Sequence, residues 1–332
     1  MQNMKIAIDS GPLASGHKVR GIGTYVRELT KELKGVDVVD FSTKLKLSEF
    51  NIIHFTSFKP FEVSLPFSKP RGAKYVLTIY DLIPLIYPKH YPPGIRGWAK
   101  WRTNKYLIKK NIDAIITISE TSKKDICRFI GIDPRKVFVT YLAPRPIFKK
   151  LEVGSWKLEV LKQYSLPNRF ALYVGDINYN KNIPTLVAAC KTAKIPLVIA
   201  GKQAEEIESL DFDHPELRHL KGIDWNGVKR LGFVSDEDLV KIYNLATVYV
   251  QPSYYEGFGL PILEALSCKT PLAVSKNQCH VEILGEDFSY FDPKSVDSVA
   301  DALKNPNIGK KLPRNYSWKK TATKTQEIYA KI

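Results

Sequence analysis

The 332-residue chain contains no run of roughly 18 apolar residues, so no membrane-spanning helix is expected. Its start, Met1-Gln2-Asn3-Met4-Lys5, passes straight into a strand-like segment. Without an apolar h-region or a small-residue cleavage site, no signal peptide is expected, and the protein is placed in the cytoplasm. Cysteine is scarce: Cys127, Cys190, Cys268 and Cys279 are scattered, with no CxxC pair. That argues against a disulfide framework or a zinc site and for four reduced thiols. No clean G-x-G-x-x-G occurs in Gly11–Gly23, which argues against a nicotinamide-dependent dehydrogenase. Acidic residues are few in the first half. Residues 1–150 hold 27 basic and 12 acidic side chains, against 23 and 22 in residues 151–332. Nearly all of the +16 net charge therefore lies on one half, as for a domain facing an anionic partner. Nucleic acid, an anionic membrane surface and a phosphorylated acceptor all fit that charge. Nucleic acid is the least expected, because no RNP, helix-turn-helix or zinc pattern accompanies it.

The length predicts two domains. Met4–Asp9 reads as a first buried strand, followed by a glycine-containing loop to Gly23 and a helix starting at Thr24, its N-cap. Further strands are predicted at Asn51–Phe55, Lys74–Ile79, Ala114–Ile118 and Val137–Tyr141, with helical patterns between several of them. The second half repeats the alternation. Strands are predicted at Phe170–Val174, Pro196–Ala200, Arg230–Phe233, Val248–Gln251 and Pro271–Val274, and helices at Pro184–Lys191, Asp236–Asn244 and Leu260–Ser267. Such alternation implies parallel sheets with crossover helices. A proline-bearing polar segment separates the halves. The expected division is a domain over 1–148, a linker over 149–167 and a second domain over 168–314. Two doubly wound domains would face one another across a cleft lined by the carboxyl ends of their strands, where open α/β sheets bind ligands.

The segment Ser253–Leu266, SYYEGFGLPILEAL, carries the chemistry. A strand ends in a loop with Gly257 and Gly259, and a helix opens at Leu260 with Pro261 in its first turn. Free N–H groups at a helix start form an anion site suited to a diphosphate. Glycines let the backbone approach a ligand closely. Glu256 at the loop mouth and Glu264 eight residues on can bracket one ligand and accept from sugar hydroxyls at its two ends. From spacing alone, Gly-x-Gly before a helix is equally compatible with ordinary α/β packing.

This segment resembles the E-x7-E signature of GT4-family retaining glycosyltransferases. Arg20-Gly21-Ile22-Gly23-Thr24-Tyr25 resembles that family's N-terminal glycine loop. Ile53-His54-Phe55 and Thr78–Pro84 resemble two acceptor-domain segments, and Tyr173–Asn182 the donor phosphate segment. Leu231–Asp236 resembles the base-binding turn, while Tyr290–Pro293 and Tyr316–Trp318 match the C-terminal pattern. The resemblance spans nearly the whole chain. It implies a GT-B architecture, α/β, of two Rossmann-like domains around the cleft. The first would bind the acceptor and carry a returning C-terminal helix, about 315–332. The second would bind the nucleotide-sugar donor.

By position, the resemblance assigns Glu264 to the donor ribose and Glu256 to the transferred sugar. Gly257, Phe258, Gly259 and Leu260 would contact sugar hydroxyls and phosphate through their backbone. Lys181 would neutralise the diphosphate, Val234 would read the base, and Gly21 and Gly23 would let the first domain close on the phosphate. Tyr80 stands where many members carry histidine. It either shares that role with Asp81 or is merely packed. Asp176 and Asn180 stand where members carry arginine, which leaves the diphosphate more dependent on Lys181. The expected reaction moves a hexose from a nucleoside diphosphate to a hydroxyl, without metal or other cofactor. GDP-mannose is the first expectation for the donor and a UDP-hexose the second. The acceptor is expected to be a saccharide or a lipid-linked saccharide, in polysaccharide or glycolipid assembly. A GT-B nucleotide-sugar epimerase and a basic nucleic-acid-binding protein are the alternatives.

Other features compete for attention. Asp211-Phe212-Asp213 resembles a metal clamp of a different glycosyltransferase fold but reads as solvated charge, and Asp236–Asp238 reads as a helix N-terminus. His54 and Arg20 are candidates to line the acceptor side of the cleft, a satisfied buried histidine being the other reading of His54. On a helix over Arg96–Lys110, Trp98, Trp101 and Ile108 fall near one face with basic residues on others. That pattern suits a helix lying on an anionic membrane, and with it a peripheral location on the inner face. A core-packed helix with a solvated basic face is the alternative.

Overall fold

Short apolar runs rich in Val, Ile and Tyr form parallel strands joined by helical crossovers in the computed structural model, which describes residues 4–14, 21–41, 47–152, 154–307 and 312–332. The chain divides into two units. Unit 1 comprises residues 1–88, 92–143 and 316–332, and unit 2 residues 89–91 and 144–315.

Among the described residues, unit 1 is built on six strands: β1 (Ile6–Asp9), β2 (Asp37–Val39), β3 (Ile52–Phe55), β4 (Lys74–Thr78), β5 (Ala114–Thr117) and β6 (Val137–Val139). All pair in parallel, in the order β2-β1-β3-β4-β5-β6. The chain steps from β1 outward to β2, then back past β1 to β3, so the topological switch lies between β1 and β3. Helices cover both faces, which is why the central strands read as continuous apolar runs rather than alternating ones. On one face, Tyr75, Leu77 and Ile115 pack with Trp101, Leu107 and Ile108 of the helix Gly94–Asn111. On the other, Ile52, Val76 and Ile116 meet Ile328 and Tyr329 of the helix Trp318–Lys331. The helix Glu120–Ile130 shows local sequence control at both ends: Ser119 Oγ accepts from Ser122 N at 2.9 Å, and Gly131 closes it at φ +69°.

Unit 2 carries β7 (Ala171–Val174), β8 (Leu197–Ala200), β9 (Val228–Arg230), β10 (Val248–Gln251), β11 (Leu272–Ser275) and β12 (Tyr290–Phe291). Their order, β12-β11-β10-β7-β8-β9, is that of a doubly wound dinucleotide-binding sheet with its switch between β7 and β10. The helix Asp236–Leu245 is capped by Ser235, whose Oγ accepts from Asp238 N, and three acidic residues occupy its first turn.

Three local expectations are corrected. The helix expected to start at Thr24 runs over Gly21–Glu32, so Thr24 is buried inside it rather than capping it. The strand expected at Arg230–Phe233 ends at Arg230, because Gly232 turns the chain at φ +64°. Strand β2 falls outside the predicted set: it is a three-residue edge strand with mostly exposed side chains and no apolar run.

Candidate functional site

In unit 2 the loops following β7 and β10, the two strands at the switch, meet at the carboxyl edge of the sheet. Lys181, in the first loop, places Nζ 2.7 and 2.8 Å from the two carboxylate oxygens of Glu256 in the second. Ser253 Oγ and Gln251 Nε2 donate to the same Oε1 at 2.6 and 2.9 Å. Glu256 is 5% exposed. Burial pushes its carboxyl upward, but the Lys181 charge and the hydrogen bonds donated by Lys181 and Ser253 outweigh this and hold it below the ordinary glutamate value. It is a buried carboxylate kept ionised by its partners.

The asparagines flanking Lys181 fix its loop. Asn180 Nδ2 donates to Tyr255 O at 3.0 Å, and its Oδ1 accepts from Tyr91 hydroxyl at 2.8 Å. Asn182 Nδ2 donates to the carbonyls of Pro252 and Pro293 at 3.1 and 2.6 Å. Asn180, standing where an arginine was the family expectation, thus ties the two loops together instead of carrying charge.

Gly257 and Phe258 are buried beyond Glu256, and Gly259 turns the chain at φ +92° into the helix Leu260–Ser267. A side chain at Gly259 would be strained, and its Cβ would lie 3.1 Å from Ile262 Cδ1 and 3.7 Å from His280 Nε2. Glu264, within this helix, is 4% exposed. Burial lifts its carboxyl to about 7, against the opposing pull of Arg145, whose Nη2 stands 3.4 Å from Oε1. Tyr243 hydroxyl donates to Oε2 at 3.4 Å, and Arg145 also pairs with Asp236. Val234 is buried between the Gly232 turn and the Ser235 cap.

Sequence reading missed Arg145 and His280. Arg145 sits 119 residues from Glu264, near the end of the stretch assigned from sequence to the first domain. His280 is fully buried in the helix Gln278–Leu284, with Nδ1 2.9 Å from both Ser275 O and Asn277 Nδ2. Its Nε2 has no hydrogen-bond partner and faces the glycine loop. Burial lowers its pKa to about 4, so the ring is neutral near pH 7.

Unit 1 holds the remaining candidates. Tyr80 hydroxyl donates to Thr56 O at 2.7 Å, and its ring stands edge-on to Tyr25. Burial raises its pKa well above 10, so its proton is committed to that carbonyl. Asp81 Oδ1 accepts from Ile83 N at 3.1 Å. Gly21 and Gly23 open a helix instead of lying in a loop, and a Cβ at Gly21 would meet nothing within 4 Å. Arg20 lies outside the described residues. His54 is corrected: it lines no cleft. It is 0% exposed, with Nδ1 2.6 Å from Tyr329 hydroxyl and Nε2 2.7 Å from Thr78 Oγ1. The interfacial-helix reading changes too, since Trp101 and Ile108 are buried in the core and only Trp98 of the three is exposed. Asp213 pairs with Lys221 at 2.9 Å in solvent. Among the described residues no helix is long and apolar enough to cross a membrane, and no three His, Cys, Asp or Glu side chains cluster as metal ligands do.

Two family models match the chain: "Glycosyl transferases group 1" over residues 162–322 and "Glycosyltransferase Family 4" over residues 37–143. A serotype-specific mannosyltransferase, WbdA, of Escherichia coli is 30% identical over 234 residues, covering 68% of this chain and 28% of its own length. The matched part is thus under a third of that relative. The O-antigen chain mannosyltransferase B of Escherichia coli is 28% identical over 277 residues, covering 78% of this chain and 71% of its own. Among solved structures, HepE of Anabaena, crystallised with UDP and glucose, superposes with a TM-score of 0.63 at 15% identity, over 91% of this chain and 89% of its own. At that identity the likeness shows the fold alone, a two-unit GT-B architecture.

Proposed function

Because the chain belongs to glycosyltransferase family 4, we propose that it transfers a hexose from a nucleoside diphosphate to a hydroxyl of a saccharide or lipid-linked acceptor. The observation that carries this reading is the Lys181–Glu256 ion pair, set at the mouth of a glycine loop that opens a helix. A leaving diphosphate needs positive charge and aimed N–H groups as it separates from an oxocarbenium-like sugar. Lys181 and the start of the helix Leu260–Ser267 supply both, in place of a metal ion.

Glu256, held by Ser253 and Gln251, accepts from a hydroxyl of the transferred sugar and orients it. The unpartnered Nε2 of His280 offers that sugar a second neutral contact beside Gly259. Glu264 takes the ribose hydroxyls, which as donors compensate its costly burial. Val234 presents backbone to the base. Attack on the face that the phosphate leaves retains the anomeric configuration, so Glu256 acts without forming a covalent bond. Tyr80 serves as packing, and Asp81 is left to meet the acceptor hydroxyl.

Mannose, carried by GDP, is the first choice because two of the relatives are a serotype-specific mannosyltransferase and an O-antigen chain mannosyltransferase. A UDP-hexose is the second. Thermal shift with GDP, UDP, ADP and their sugars tests the reading, since a ligand of the folded state raises the midpoint. One nucleotide family should shift the wild type and lose that shift in Glu264→Ala. No shift with any of them refutes the donor site.

A peripheral location on an anionic cytoplasmic surface completes the reading. Its support is the basic first half and three exposed apolar side chains on the helix Gly94–Asn111: Ile95 at 91%, Tyr106 at 59% and Trp98 at 43% exposure. Flotation with anionic liposomes at low salt checks it, and absence of binding removes the membrane from the scheme.

A further inference from the structure

The three residues Lys89–Tyr91 pack into unit 2, beside the loop that carries Lys181. Pro88, Pro92 and Pro93 bracket them, so the chain has little backbone freedom to lose in holding them there. The His90 ring stacks on Tyr179, with centroids 3.3 Å apart and planes 9° from parallel. Tyr179 also meets His219 edge-on at 5.6 Å and Tyr254 at 5.6 Å. Tyr91 is 9% exposed, and its hydroxyl donates to Asn180 Oδ1 at 2.8 Å. Segment 89–91 therefore grips the residues on the N-terminal side of Lys181 twice, once by stacking and once by a hydrogen bond.

Asn180, the acceptor of that bond, sets the spacing of the ion pair. It directly precedes Lys181, as Tyr255 directly precedes Glu256. Asn180 Nδ2 donates to Tyr255 O at 3.0 Å, and Asn180 O accepts from Tyr254 N at 2.8 Å. The residues just before the two charges are thus bonded to each other. A backbone carbonyl can only accept, so Tyr255 fixes which end of the carboxamide is nitrogen and leaves Oδ1 facing Tyr91. Tyr91 supplies the donor that Oδ1 needs. Asn180 is 3% exposed, so without the hydroxyl its Oδ1 would be buried and unsatisfied. Relief would come from moving the loop toward water, and that movement carries Lys181 with it. We propose that Tyr91 is a positioning residue for the donor: acting through Asn180, it holds Lys181 where the ammonium serves the Glu256 carboxylate and a diphosphate together. The proposal rests on the transferase reading and deepens it.

Calorimetric titration of the full chain with GDP and GMP tests this, or with UDP and UMP where the thermal shift selects uridine. A ligand lacking the second phosphate draws less on Lys181, so the preference for diphosphate over monophosphate reports where the ammonium stands. Tyr91→Phe keeps the ring and removes only the hydroxyl. It should weaken GDP binding about 5-fold and leave GMP binding unchanged, whereas a residue that only supports the fold would move both alike. Added to Lys181→Ala, it should reduce the preference no further, because the two residues act as one unit. An undiminished preference in Tyr91→Phe, equal weakening of both nucleotides, or a further loss in the Lys181→Ala background would each overturn the positioning role and leave Tyr91 as packing, with the transferase reading intact. Absence of nucleotide binding in the wild type would instead defeat the transferase reading, and the proposal with it.

Discussion

Replacing Glu264 with glutamine separates what this side chain does for stability from what it does for binding. Its carboxyl is 4% exposed, and burial lifts its pKa from 4.5 to about 7. An acid whose folded pKa is raised keeps its proton in the folded state after the unfolded chain has released it. Between pH 4.5 and about 7 the folded state binds the extra proton, so stability falls as pH rises. Each pH unit in that window removes ~1.4 kcal/mol, and the ionised carboxylate at about pH 8 therefore costs about 3 kcal/mol relative to the protonated one. Glutamine keeps the shape and remains neutral. Glu264→Gln should match the wild type near pH 4.5 and be more stable by about 3 kcal/mol near pH 8, while losing donor affinity. His54 and His280 act in the opposite sense. Burial lowers their pKa values from 6.5 to about 3 and about 4, so their contribution is present above 6.5 and is lost as pH falls toward those values. Both are common to the two proteins and cancel in the difference. Urea unfolding of each across this range gives that difference directly. A pH-independent difference, or a wild type more stable near pH 8, would show instead that Arg145 outweighs burial.

Lys181→Ala should leave Glu256 buried without a counter-charge, destabilising unit 2 by about 3 kcal/mol and weakening nucleoside diphosphate binding at least about 10-fold, as read by denaturation and thermal shift. His54→Ala removes a fully buried ring that satisfies Tyr329 and Thr78; it should cost about 3 kcal/mol in urea unfolding and leave the nucleotide thermal shift intact. A changed nucleotide response would instead place His54 in the site. Gly259→Ala forces a Cβ onto a residue at φ +92° and should cost about 1–3 kcal/mol while weakening diphosphate binding; wild-type behaviour in both assays would show that the loop tolerates rearrangement.

Much of the frame is legible locally. The strand–loop–helix order around Gly257–Leu260 is set by β-branched runs, paired glycines and a first-turn proline, signals that need no distant partner. The helix Leu260–Ser267 accordingly has the predicted bounds. The Gly21–Glu32 helix was misplaced at its start, because glycine reads as loop while packing at Tyr25, Val26 and Leu29 extends the helix back through it. Trp101 and Ile108 show the limit of a helical wheel, which says that residues share a face but not whether that face meets water or core.

Fold class, family and the residue types of the site can be read from the chain alone, because periodicity, turn chemistry and motif spacing are short-range. Which charges are paired depends on long-range packing. It brought Arg145 to Glu264 across 119 residues, buried His54 against Tyr329 across 275, and set His280 beside Gly259. It also made Glu256 and Glu264 electrostatic opposites. The two residues are alike in sequence and nearly equal in burial, but Glu256 has an ammonium and two donors at hydrogen-bonding distance, whereas Glu264 has only long contacts to Arg145 and Tyr243. Desolvation acts on each residue alone, while compensation depends on where the rest of the chain arrives.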